Sequence, residues 1–350
     1  MSEPRDKPTK RKRSGVVTCA CWCAAFLAIV WLGLVWSPVV FASSAAKGTL
    51  GEWYWAVDLC ASLASQSVVG VVVVLIAVAA LRRRACAGVV VCVLIGLLAL
   101  PMSEPRLASA PGDAEAVRLL VYNSHTQSND VELKNALLSG AGVDVAVVLE
   151  ISTGMMRSYI AGRGFRATHG FGMLPRSEWS GCPAILSRFE VEPHESEFGR
   201  RLRKARRDLW DHLYRIEVVH APTGSFVLIQ AHARSPRRPE RWAYGLGQLR
   251  QLASIVGEVR EITGLPIVVA GDFNSPPTSV RARAFADLSG LVRAKPAYTL
   301  SGSFPAAAPS WAALAIDGVY ASPGVRVKSW EPIGSAGSDH RAVVIELVID

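Results

Sequence analysis

The chain has 350 residues, half of them hydrophobic, and a mean hydropathy of +0.26, which excludes an ordinary soluble chain as the first expectation. The net charge of +9 is unevenly shared: residues 1–103 hold 10 Lys/Arg against 4 Asp/Glu, or +6, leaving +3 for the rest. The basic pI therefore comes mostly from membrane-flanking residues, and a nucleic-acid partner is permitted by charge without being demanded by it.

Taken in chain order, residues 1–15 form a basic head with Lys7, Lys10, Arg11, Lys12 and Arg13. Three uncharged stretches follow, at 16–42, 59–81 and 85–102, each long enough to cross a hydrocarbon core roughly 30 Å thick. The third is short, but Arg82, Arg83 and Arg84 can snorkel at its start. The length of the first stretch and the two that follow it favour a retained anchor over a cleaved signal. Six of the seven cysteines (Cys19, Cys21, Cys23, Cys60, Cys86 and Cys92) lie in or beside these stretches. They read as small apolar residues of membrane helices, because no His or further Cys follows at ligand spacing. Cys182 stands alone in the globular part, so no disulfide is available there.

Orientation follows from the excess of basic residues on the cytoplasmic side. The head and residues 82–84 belong inside, and the loop 43–58, with Trp53, Tyr54 and Trp55, suits the outer interface. Three spans that start inside end outside, so the expectation is a multi-pass protein of the cell membrane with its globular part extracytoplasmic. A Pro-rich stretch at 103–116 reads as a linker, and 117–350 as one globular domain. The run RRLRKARR at 200–207 is read as a solvated face rather than a substrate-attracting patch.

In that domain VRLLVYN (117–123) reads as a buried strand, 130–138 as a helix and VDVAVVLE (143–150) as a second strand. Further strands are expected at 184–187, 213–219 and FVLIQAH (226–232), and an amphipathic helix at 239–262. Strands at 267–270, 315–320 and 342–348 complete the pattern. Several strands end in an ionisable or amide residue just where a loop begins, and strand ends on one rim of a sheet can gather such residues into one site. The candidates are Asn123, Glu150, His232, Asp272, Asn274, Asp317, Asp339 and His340. Rich in carboxylates and poor in thiols, the set suits Mg²⁺ or Mn²⁺ better than Zn²⁺. His125, His169, His194, His212 and His220 have no motif around them and read as surface or structural residues, and Trp311 as core or rim.

The blocks VYN (121–123), DVAVVLE (144–150), GCPAILSR (181–188), QAHARSP (230–236), GDFNS (271–275), IDGVY (316–320) and SDHRAV (338–343) stand in the order of the endonuclease/exonuclease/phosphatase superfamily. The chain resembles that family over 117–350, in a deoxyribonuclease-like, membrane-anchored bacterial form, with GDFNS and SDHRAV the most specific blocks. The resemblance implies an α/β sandwich of two mixed sheets with helices outside, preceded here by three transmembrane helices, and Mg²⁺-dependent hydrolysis of phosphate esters. By the same resemblance Glu150 is the principal metal carboxylate, with Asn123 beside it and Asp339 as a further ligand or positioning acid. Asp272 and Asn274 orient the attacking water and the phosphate. His340, held by Asp317, binds or protonates phosphoryl oxygen, and His232 is a candidate acid for the leaving group. Two departures stand out: Leu149 occupies a position where the family usually has Gln, and no tyrosine matches the apurinic-endonuclease branch. The expected substrate is a phosphate ester, of nucleic acid or else of a phospholipid headgroup or inositol phosphate. The expected partner is the lipid bilayer, with no protein partner inferable. A non-catalytic membrane sensor or adhesion module retaining the fold is the rival of another class.

Overall fold

The computed structural model describes residues 10–64, 66–67, 106–125, 131–151, 165–168, 182–192, 200, 215–295 and 300–349. Most of the second expected span, all of the third, and the basic run 200–207 apart from Arg200 lie outside the described residues. The chain opens with a 38-residue helix α1 (Lys10–Lys47), then a short helix α2 (Trp55–Ser62). Among the described residues one helix is long and apolar enough to cross a membrane, over Phe26–Lys47. At 1.5 Å per residue α1 is about 57 Å long, nearly twice a hydrocarbon core, so part of it must project from any bilayer it crosses.

The globular part contains strands β1 (Val117–Asn123), β2 (Val145–Ile151), β3 (Arg166–Thr168), β4 (Cys182–Ser187), β5 (Glu190–Val191) and β6 (Arg215–Ala221), with helix α3 (Val131–Gly140) between the first two. It continues through β7 (Gly224–His232), α4 (Pro239–Thr263), β8 (Ile267–Asp272), α5 (Val280–Ser289), β9 (Val292–Arg293), β10 (Asp317–Ala321), β11 (Arg326–Pro332) and β12 (Val343–Val348). Two six-stranded sheets result, ordered β11-β12-β1-β2-β4-β3 and β5-β6-β7-β8-β10-β9. Alternation along the strands puts Leu119, Val121, Val145 and Val147 of one sheet against Leu228, Val268, Ala270 and Val319 of the other, in a single inter-sheet core. The opposite faces are covered by helices: Leu249, Leu252, Val256 and Phe285 pack over the second sheet, and half-buried Leu137 over the first. This is the two-sheet α/β sandwich that the resemblance implied.

The pairing explains why the site falls on one rim. β1 and β2 run parallel, as do β7 and β8, so each pair ends on the same side of its sheet. β10 runs antiparallel to β8 and begins at Asp317, opposite Asp272. β12 runs antiparallel to β1 and begins just after the SDHR segment. Ends of parallel strands and starts of antiparallel ones therefore meet in one place.

Several features differ from the sequence expectation, among them helix α2 and the short strands β3, β5 and β9, which were not anticipated. Helix α5 was not anticipated, although Ser279 caps it by accepting from the Ala282 N–H at 3.1 Å and Gly290 closes it in a left-handed conformation. Strand β11 was also missed, because RVKSWEP is an edge strand with mostly half-exposed residues and no clean alternation. The end of the expected linker is tied into the domain: Leu107 joins the inter-sheet core, and Ala110 N–H donates to the Val327 carbonyl at 2.9 Å.

The loop and helix after α1 also pack on the globular part. Ala45 and Tyr54 share a buried cluster with Trp242, Leu246, Val280 and Ala284 of α4 and α5. Asp58 of α2 is fully enclosed there: its carboxylate accepts from Trp242 Nε1 at 2.8 Å and from the Val280 N–H at 2.6 Å, so α2 supplies an N-terminal cap to α5 from outside it. Burial pushes the Asp58 carboxyl up, against the pull of these donors and of Arg281.

Candidate active site

The rim of the two sheets carries a cleft of about 670 Å³ whose walls include Asn123, Glu150, His232, Asp272, Asn274 and His340. Each side chain arrives there for a local reason. Asn123 is the last residue of β1, and its carbonyl is held by Ser338 Oγ at 2.7 Å. Glu150 sits where β2 breaks register with β4, at φ +51, a left-handed conformation that a non-glycine residue adopts only when its surroundings enforce it. The bulge frees Glu150 from strict alternation and lets its carboxylate meet the Asn123 amide at 3.2 Å. His232 and Asp272 are opposite each other at the ends of β7 and β8. Those strands approach so closely that a Cβ on Gly271 would lie 1.8 Å from the Ala231 carbonyl oxygen, which makes the glycine of GDFNS obligatory.

Asp272 is the hub. Its Oδ1 accepts from the Asn274 N–H at 2.7 Å, and its Oδ2 accepts from the side-chain amides of Asn274 at 2.9 Å and Asn123 at 3.2 Å. Burial, reinforced by neighbouring Asp317, pushes its carboxyl up to about 6, against the pull of His340 and His232. Asn274, at φ +46, spans from Asp272 to the Ala233 carbonyl, which it reaches at 3.0 Å. His340 and Asp317 form a buried pair: Nδ1–H donates to Asp317 Oδ2 at 2.8 Å, and that oxygen also accepts from Ser303 Oγ at 2.5 Å. Burial disfavours a charged His340, but Asp317 outweighs it with help from Asp272 and Asp339, and the imidazole is pushed up to about 10. Its Nε2 lies 4.0 Å from Asp272 Oδ2, and the Phe304 ring packs on its face at 4.8 Å. Asp317 is therefore placed as the partner of His340.

His232 Nε2 lies 3.6 Å from Glu150 Oε1 and 3.9 Å from Asp272 Oδ2, so it stands beside both carboxylates. Asp339 is more exposed, at the outer lip. The structure also brings in a residue that the sequence reading set aside as structural. His125 Nδ1 stands 3.5 Å from Asp339 Oδ1 and 3.9 Å from Glu150 Oε2. Its turn is held by the buried Lys134, whose ammonium donates to the Ser124 carbonyl at 2.5 Å. The only sequence signal for His125 was its place two residues after a site asparagine. His220 bonds Ser225 and Glu192 away from the cleft. His169, His194 and His212 lie outside the described residues, and Trp311 is exposed.

Two groups of side chains can be tested as a cation seat. Asp272, Asp317 and His340 each offer a ligand atom, all within 4.8 Å of one another. Asp272 and the Oδ2 of Asp317 are already engaged with Asn274, Asn123, Ser303 and His340 Nδ1, whereas Asp317 Oδ1 is buried with no hydrogen-bond partner, so the trio is largely bonded within itself. Glu150 and Asp339 are different: their side chains are 28% and 44% exposed, and both converge on His125. They lie beside the buried Asn123, whose Nδ2 donates to Glu150 and whose Oδ1 accepts from the His125 N–H at 3.2 Å; the two exposed carboxylates with this carboxamide oxygen are hard donors of the kind that suit a divalent cation keeping part of its hydration shell.

A family model described as the Endonuclease/Exonuclease/phosphatase family matches residues 109–340. Among curated proteins no match is found. Among solved structures the chain is similar to an endonuclease/exonuclease/phosphatase from Beutenbergia cavernae, 18% identical with a TM-score of 0.45, covering 67% of this chain and 72% of that one. The human Nocturnin catalytic domain with bound sulfate is 14% identical, with a TM-score of 0.49, over 69% of this chain and 97% of that one. D. rerio TDP2 complexed with single-strand DNA product is 12% identical, with a TM-score of 0.48, over 67% and 99%.

Proposed function

Because the chain belongs to the endonuclease/exonuclease/phosphatase family, whose members hydrolyse phosphate esters, we propose that it is a membrane-anchored, Mg²⁺-dependent phosphodiesterase. The observation that carries this is the complete rim constellation: a hydrogen-bonded Asp272–Asn274 unit, a buried His340–Asp317 pair, and an oxygen-rich set at Asn123, Glu150 and Asp339, all opening on one cleft.

A divalent cation bound by Glu150, Asn123 and Asp339 would polarise the phosphate and acidify a bound water. The chain's own residues supply the rest. Asp272, with its carboxyl near 6, accepts the proton of the attacking water, and the Asn274 amide fixes the carboxylate's direction. His340, charged and held by Asp317 at 2.8 Å, donates from Nε2 to a phosphoryl oxygen as negative charge develops there. His232, beside Glu150 and Asp272, gives its proton to the leaving oxygen. Water adds to phosphorus, one P–O ester bond breaks, and a phosphomonoester and an alcohol result.

The anchor belongs to the same proposal. The loop after α1 and the globular part are packed together, with Trp55 Nε1 donating to the Pro236 carbonyl at 2.7 Å, so both lie on one side of any bilayer. The chain between them must then cross an even number of times, and the two further uncharged stretches expected from the sequence would supply one pair of crossings, the first beginning beyond Ser62, whose carbonyl accepts from Thr278. The basic head and residues 82–84 mark the opposite, cytoplasmic side, so the catalytic part faces the exterior. The test is hydrolysis of bis(p-nitrophenyl) phosphate by the full chain in detergent with Mg²⁺. Turnover that Asp272→Asn abolishes supports the proposal. Absence of turnover, or turnover untouched by that change, refutes it.

A further inference from the structure

β7 ends at His232, and the two residues that follow are held at each of their backbone polar groups. The Ala233 N–H donates to the Asp272 carbonyl at 2.9 Å, and the Ala233 carbonyl accepts from the Asn274 amide at 3.0 Å. The Arg234 N–H donates to Gln248 Oε1 at 2.8 Å, and the Arg234 carbonyl accepts from Arg281 Nη2 at 2.8 Å. This clamp matters because the acidic neighbours of the His232 ring do not hold it. Its Nε2 stands 3.6 Å from Glu150 Oε1 and 3.9 Å from Asp272 Oδ2, both beyond hydrogen-bond length. The ring therefore stands where its main chain puts it.

Arg281 is the member of the clamp that costs most to bury. It is fully enclosed in the first turn of α5, and its Nε and Nη1 have no hydrogen-bond acceptor. An apolar side chain of similar volume would fill that space without the desolvation cost, so stability alone is a poor reason for a guanidinium here. α4 makes room for it. A Cβ on Gly245 would collide with Arg281 Nη2 and lie 2.8 Å from the Arg234 carbonyl oxygen, so a glycine stands where the guanidinium passes to its acceptor. Burial lowers the Arg281 pKa to about 10, and Asp58 and Asp272 help to keep the group charged. Asp58 also accepts from the Val280 N–H at 2.6 Å, so the same carboxylate fixes the backbone beside Arg281. α2, which carries Asp58, reaches the cleft as well, where Leu59 and Ser62 form part of the wall.

Resting on the phosphodiesterase reading, the geometry points to Arg281 as a positioning residue for His232, seated on Asp58 of α2 and acting through the Arg234 carbonyl. Fully buried, Arg281 does not touch the substrate. It keeps the main chain after His232 at one setting, so that the imidazole meets the leaving oxygen as the P–O bond breaks and hands over its proton there. A misplacement of about 1 Å in such a group costs on the order of 10²-fold in rate, so a support two residues away is enough to matter. The catalytic rim thereby depends on a segment that belongs to neither sheet.

The experiment uses the full chain in detergent with Mg²⁺ and a series of aryl methyl phosphates whose leaving groups run from p-nitrophenol to phenol. The readout is the ratio of kcat for the nitrophenyl ester to kcat for the phenyl ester. A loss of folded protein lowers both rates together and leaves this ratio unchanged. His232→Ala should raise the ratio on the order of 100-fold, because the poorer leaving group needs the proton more. Arg281→Met should raise it on the order of tenfold, through a displaced rather than a missing donor. Arg281→Lys keeps the buried cation while withdrawing the longer guanidinium from Arg234, and should raise the ratio in the same direction; it carries the test if Arg281→Met does not fold. In the His232→Ala background neither change should move the ratio further, since the donor they serve is gone. An unaltered ratio in either folded variant overturns the inference. So does a further rise in the double variants, which would mean that Arg281 acts on another group. If His232→Ala itself leaves the ratio unaltered, the donor and its positioning residue fall together while the phosphodiesterase reading stands. Absence of turnover of every ester by the unaltered chain removes that reading too.

Discussion

Removing the His340 imidazole should lower kcat on the order of 10²–10³-fold for any phosphodiester, the loss expected when one positioned charged donor is deleted. Asp317→Asn should act as a milder His340 variant, because it loosens a ring held at 2.8 Å without removing it. The pair also makes a pH prediction. The His340 pKa rises from the ordinary 6.5 to about 10 in the folded chain, so its stabilising contribution is fully present below 6.5 and is lost as pH rises through about 10. The ring should remain an imidazolium at pH 8 in the metal-free protein, read from its ¹⁵N shifts, and a neutral ring there would contradict the pairing. His232 separates from His340 by leaving group. His232→Ala should largely spare a nitrophenyl diester, whose leaving oxygen needs little protonation, and damage an alkyl diester. Equal losses on both would remove the general-acid role. The residues of GDFNS and SDHRAV could be read from sequence because polar side chains at strand ends carry their own signature. His125 could not: it reaches Glu150 and Asp339 only because α3, through Lys134, folds the Ser124 turn back over the rim.

Helix α5 shows how an element can be set by a partner distant in sequence. Its first N–H is satisfied by Asp58, 222 residues earlier in the chain, and the same carboxylate takes the Trp242 indole. Asp58→Ala would leave two enclosed donors unpaired, a cost of about 2–4 kcal/mol, and should lower the melting temperature of the full chain followed by circular dichroism. An unchanged melting curve would mean that the α2 contact contributes nothing. Arg281 extends this arrangement toward the site. Buried beside Asp58, it donates to the Arg234 carbonyl at 2.8 Å and so holds the segment that follows His232. Sequence periodicity found α4 because its apolar stripe is long and one-sided. It missed α5, whose buried positions include Arg281 and Ser289 and so interrupt the apolar pattern, and β11, an edge strand with little to bury.

The layered architecture as a whole was legible only through motif order, since strands alternating with helices are compatible with several α/β folds. No local signal announced that the segment after α1 would complete the cleft, because the joining contacts, Trp55 to Pro236 and Gln66 to Ala313, link residues far apart in the chain. That closure carries a topological prediction: protease added to intact cells should cut within 106–349, and protection until lysis would reverse the assigned orientation. Metal dependence bears most heavily on the proposed activity. Hydrolysis of bis(p-nitrophenyl) phosphate by the full chain should vanish in EDTA and return with Mg²⁺ or Mn²⁺. In Glu150→Gln, which removes one negative ligand with little change of shape, the Mg²⁺ concentration for half-activation should rise on the order of 10–100-fold while the fold is retained. Full activity in EDTA, or the same Mg²⁺ requirement in Glu150→Gln as in the unaltered chain, would contradict a metal-assisted phosphodiesterase centred on Glu150.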